Sequence, residues 1–170
     1  MKNSLNSTSG FTLVEVLVAV ILTGLAFMIF LQALNTGKMV RVKSELRTKQ
    51  SVILNSLENQ IRARKFDEND SSPWSSISDL GKDASETIIS QFDDIDDFHQ
   101  YSVSSISEYP GFGYTITVFY CSPPPHSAPN QNKQIFLSSD SQTNYKSVAI
   151  SVVHATLSSL NDTLVITPKW

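Results

Sequence analysis

The chain has 170 residues, 41% of them hydrophobic, and a formal charge of −3, which suits one modest domain plus an anchor and leaves no material for two large cores. Its single cysteine, Cys121, excludes an internal disulfide and matches no metal or redox spacing, so it is expected to be a buried strand residue. The widely spaced His99, His126 and His154 form no zinc motif, no glycine loop would cradle a phosphate, and no nucleophile elbow occurs, so an enzyme is not expected.

Residues 1–10 form a short polar leader whose only charged side chain is Lys2. It lacks the apolar core of a secretory signal, so the run that follows must do the targeting. From Gly10 to Leu34 that run reads GFTLVEVLVAVILTGLAFMIFLQAL, with one charge, Glu15. As a helix rising about 1.5 Å per residue it is long enough to cross a hydrocarbon layer of about 30 Å. An acidic side chain inside such a span costs on the order of 3 kcal/mol to insert, so Glu15 calls for a partner. A rival cut after Gly24-Leu25-Ala26 would leave Phe27, Met28, Ile29, Phe30 and Leu31 at a new terminus, which disfavours it.

The order Gly10, Phe11, Thr12, Leu13, Val14, Glu15 before a long apolar helix resembles the cleavage and methylation signal of type IV pilins and of the pseudopilins of type II secretion. The resemblance implies that prepilin peptidase cuts after Gly10 and methylates the new amine of Phe11. It also implies that Glu15 serves assembly with other pilin or pseudopilin subunits, from a single-pass position in the inner membrane with an extracytoplasmic head. Counting bases beside the anchor gives the opposite orientation, because Lys38, Arg41, Lys43, Arg47 and Lys49 would lie in the cytoplasm. The resemblance takes precedence, since a signal ahead of the helix serves only a peptidase on the cytoplasmic face. The kinking proline of many major pilins is missing from the apolar helix, which favours a minor subunit.

Beyond the apolar run, Met39, Val42, Leu46, Ile53, Leu57 and Ile61 fall on one face of a continuing amphipathic helix, with Gln50 in the one skipped place. Good helix formers fill the segment, so one helix of about 80 Å is expected over 12–66, weakened at Gly24 and Gly37. Residues 38–65 carry eight bases against two acids, and residues 66–170 four bases against thirteen acids. A basic stem thus precedes an acidic head: either a solvated helix face before a soluble domain, or charges by which stems and heads of neighbouring copies attract. The bases have no interleaved aromatics, so nucleic acid is not an expected partner.

Short polar residues and Pro73 make 67–73 a loop. Residues 74–82 predict no firm element, and 87–92 a short helix or strand. In FDDIDDFHQYS, aromatics flank Asp93, Asp94, Asp96 and Asp97, which predicts carboxylates facing outward. The four are either an acidic turn or ligands for Ca²⁺, which takes six to eight oxygens and would have to recruit more. Strict alternation predicts a strand over 112–121, stopped by Pro123, Pro124 and Pro125, and another over 146–154 with Val148, Ile150 and Val152 on one face. Shorter strands are expected at 134–138 and 163–167. The acidic segment, residues 109–120 and residues 145–153 resemble the head of minor pilins of the haemagglutinin-pilus type.

The expected fold is α+β, a long N-terminal helix whose outer half packs on a small antiparallel sheet. The domains are a leader at 1–10, a helix at 11–66 with its membrane span at 11–34, and a β-rich head at 67–170. Two functions follow from these residues: a minor pilin or pseudopilin subunit, or a membrane-anchored binding domain that joins no filament.

Overall fold

The computed structural model describes residues 10–123 and 136–168. The leader before Gly10, and Pro124, Pro125, His126, Gln134 and Ile135, lie outside the described residues. One helix, α1 (Leu13–Arg62), passes through Gly24 and Gly37 without interruption. The head carries strands β1 (Ser102–Val103), β2 (Phe112–Ser122), β3 (Leu137–Ser138), β4 (Lys146–His154) and β5 (Leu157–Ile166). They form an antiparallel sheet in the order β1-β2-β4-β5, with β3 paired to the end of β2. The class is α+β, as the sequence predicts.

The chain divides into two compact units, 1–44 and 45–170. In the first, the helix buries nothing: more than a dozen large apolar side chains between Leu13 and Leu34 are exposed. Each forgoes roughly 2 kcal/mol in water, and a dozen together exceed the 5–15 kcal/mol that holds a typical domain, so this surface requires an apolar surrounding. Two hydroxyls along it are satisfied locally, Thr23 Oγ1 donating to the Ala19 carbonyl at 2.7 Å and Thr36 Oγ1 to the Gln32 carbonyl at 3.0 Å.

In the second unit, Ile53, Leu54, Leu57 and Ile61 of α1 pack on the inward side chains of β2, β4 and β5, from Phe112, Ile116 and Val118 through Val148, Ile150 and Val152 to Leu164. Phe66, Trp74, Phe92, Ile95 and Phe98 extend this core beyond the helix end. Where the β4–β5 register shifts at Val152/His154, the fully buried Gln50 amide donates to the Val152 carbonyl at 2.7 Å and to the Ser158 carbonyl at 3.2 Å. Gly113 lets the chain after β1 lie close: an added Cβ would sit 2.7 Å from the Val103 carbonyl oxygen.

Several local expectations are corrected. The helix ends at Arg62 rather than Phe66, because Lys65 N–H donates to the Asp93 carbonyl and Ile95 N–H to the Lys65 carbonyl, a bridge incompatible with another helical turn. Residues 74–82 contain a short 3-10 turn, Ile77–Asp79. Residues 87–92 are neither helix nor strand, since the Gln91 side chain takes the N–H groups of Thr87 and Ile88. The last strand starts at Leu157 rather than Thr163. Cys121 is buried and free, as expected, and burial pushes its thiol up to about 11.

Candidate functional site

At the start of α1 the backbone is arranged by Thr12. Its Oγ1 accepts the Glu15 N–H at 3.3 Å, and its carbonyl accepts the N–H groups of Glu15 and Val16. Thr12 is thus the N-cap and Glu15 stands three residues on, the spacing of a capping box, where a carboxylate also meets the positive end of the helix dipole. Gly10 and Phe11 precede the cap outside the helix and are exposed. Among the described residues the Glu15 carboxylate forms no ion pair.

The four aspartates of the head do not share one role. Asp93 alone is exposed; Asp94, Asp96 and Asp97 are buried, against the outward-facing expectation. The reversal comes from backbone demand. Asp94 accepts the N–H groups of Asp96 and Asp97, and Asp97 accepts those of Asp93 and Asp94, so the carboxylates cap the tight turn that carries them. Burial, then the neighbouring Asp97 charge, push Asp94 up to about 6. Asp93 and Asp97 come together with Glu86, one oxygen from each lying within 4.8 Å of the others. Burial and a shared proton with Asp97 push Glu86 up to about 7. These three side chains offer three of the six to eight oxygens that calcium takes, while Asp94 caps the turn and Asp96 meets Lys146.

Asp96 turns to a residue that sequence reasoning passed over, Lys146. Its ammonium is fully buried, 2.8 Å from Asp67 Oδ2 and 2.6 Å from Asp96 Oδ1, and it donates to the Phe66 carbonyl at 2.7 Å. Burial works to raise Asp67, but hydrogen bonds from Lys146, Asn69 and Ser75 outweigh it and hold the carboxyl below its ordinary value. Asp96 receives no such set, and burial drives it up to about 7 despite the lysine. The signal was legible: Lys146 shares the inward face of β4 with Val148, Ile150 and Val152, where a charge needs a buried partner. Of the histidines, His99 Nδ1 accepts the Val118 N–H and His154 lies against Phe112.

An acid-bearing, capped apolar helix that begins just after a glycine, followed by a small antiparallel-sheet head, is an arrangement consistent with a pilin-like fold. Residues 5–31 match the family model described as the prokaryotic N-terminal methylation motif. The match supports a type IV pilin-like prepilin signal, and the helix that it opens is long and apolar enough to cross a membrane. It covers the signal and the first part of α1, not the head. No curated protein and no solved structure matches the chain.

Proposed function

We propose that the chain is a minor pilin or pseudopilin subunit. Prepilin peptidase cuts it after Gly10 and methylates Phe11; the single helix then holds it in the inner membrane with the head on the extracytoplasmic side. From there it enters a type IV pilus or a type II secretion pseudopilus by bundling its apolar helix with those of other subunits. The observation that carries this reading is the span-length helix, none of whose apolar window is buried within the fold, starting at a methylation motif. A core helix would be buried, and a secretory signal would be discarded with its apolar run. An apolar helix without proline supports the minor role.

Mass spectrometry of membrane-extracted protein tests the processing, with a methylated amine at Phe11 as the expected terminus. A terminus at Met1 or Phe27 overturns it. An uncut chain found alone in the membrane would instead be an anchored binding domain.

A further inference from the structure

We propose that Lys146 and Asp67 are the two ends of an intramolecular isopeptide bond, formed by the folded chain on itself with Asp96 as proton carrier. Lys146 Nζ lies 2.8 Å from Asp67 Oδ2 and 2.6 Å from Asp96 Oδ1, with Lys146 0%, Asp67 2% and Asp96 4% exposed. As a stabilising device this is poor, because three groups lose hydration and one ammonium cannot neutralise two carboxylates. As a reaction site it is well made. The fold already holds amine and acyl group in contact, which removes the entropic cost of bringing them together.

Each further requirement has a residue. Asp67 Oδ1 accepts the backbone N–H of Asn69 at 3.0 Å and the Ser75 hydroxyl at 2.9 Å, and it shares the Ser75 N–H, at 3.2 Å, with Oδ2 at 3.0 Å, so two donors are aimed at the oxygen that gains charge during attack. The Tyr120 hydroxyl lies 3.3 Å from Oδ2, the oxygen that must leave. Asp96 touches the nitrogen, and neither of its oxygens receives a well-formed hydrogen bond, so it is free to take a proton. The rings of Phe66 and Tyr120 flank Nζ at 4.5 and 5.3 Å and shield the joint from the water that would reverse it.

The step balances within the protein. The Lys146 ammonium passes one proton to the Asp96 carboxylate, and the freed amine attacks Asp67 Cγ, forming the C–N bond while the C=O pair shifts to Oδ1. As that pair returns, the C–Oδ2 bond breaks. Oδ2 takes the proton from Asp96 and a second from the nitrogen, and departs as water. One ammonium and one carboxylate become an amide, Asp96 regains its starting state, and no outside reactant enters.

The full processed chain, purified from membranes, denatured and weighed once its N-terminal peptide has been identified, decides the matter. The expected mass is one water below that of the unlinked chain, with a protease digest giving a branched peptide that joins Lys146 to Asp67. Asp96→Asn, which keeps the shape but cannot carry the proton, is expected to restore the full mass. A wild-type chain at full mass overturns the bond, whatever the variant's folding. A branch from Lys146 to Asp96 overturns the assignment of the acyl group, and an Asp96→Asn chain linked as fully as the wild type removes Asp96 from the chemistry.

Discussion

Two readings of Glu15, a helix-end charge and an intersubunit partner, are separated by different measurements. As the third residue after the Thr12 cap it complements the helix end on its own, which accounts for a tolerated charge but not for a required one. Placed among neighbouring subunits in an apolar layer, it would pair with the Phe11 amine of the next copy, where low dielectric strengthens the attraction. Glu15→Ala should therefore leave leader cleavage and membrane insertion intact and abolish incorporation into the filament, read by cross-linking and filament pull-down of the processed variant. Normal incorporation would reduce Glu15 to a cap. Gln50 offers a second test at a single position. Gln50→Leu keeps the volume but removes the donor to the buried Val152 carbonyl, and is expected to cost about 1–3 kcal/mol in denaturant melts of the detergent-solubilised chain.

At the level of elements, the long strands were legible because alternation is a strong signal: β4 matches its expected span and β2 is one residue longer. The outer part of α1 was legible for the same reason at a period of 3.6. What the sequence hid was governed by contacts far along the chain. The start of β5, rich in Ser, Asn and Asp, reads as loop and becomes strand only because β4 offers it a ladder. The FDDIDD turn reads as a wet surface and is buried because its own N–H groups need acceptors. The methylation motif was readable because it is a local pattern of adjacent residues that does not depend on the fold. The two-residue β1 gave no pattern, and Gly113 was its one trace. Gly113→Ala would drive a methyl group into the Val103 and Ser104 carbonyls, and should destabilise the head by roughly 1–3 kcal/mol, visible as a lowered melting temperature.

Over the whole molecule, the buried acids give stability an unusual pH slope. Asp94 at about 6, and Asp96 and Glu86 at about 7, hold protons in the fold that the open chain gives up near its ordinary carboxylate values of 3.8 and 4.5. The native state then binds more protons between those limits, so stability falls as pH rises from about 4 to about 7 and levels off above, with the half-exposed Glu86 contributing least. In the unlinked chain the depressed Asp67 acts oppositely, and only below its ordinary value; once joined to Lys146 it no longer titrates. A melting temperature that rises from pH 5 to pH 7.5 would contradict this assignment. A different consequence follows from the amide of Gln50. On the inward stripe of the helix it has Leu46 one turn before and Leu54 one turn after, both apolar. Sliding the helix along the sheet by one turn, about 5.4 Å, would bring an apolar side chain to the open carbonyls and carry the amide into hydrocarbon. Gln50 is thus a notch that fits one setting, and Arg47, which donates to the Ser158 carbonyl at 3.0 Å, keys the same setting from the preceding turn. Tension drawn along the helix loads these bonds in shear together, so the head is carried with the pull instead of slipping down the rod.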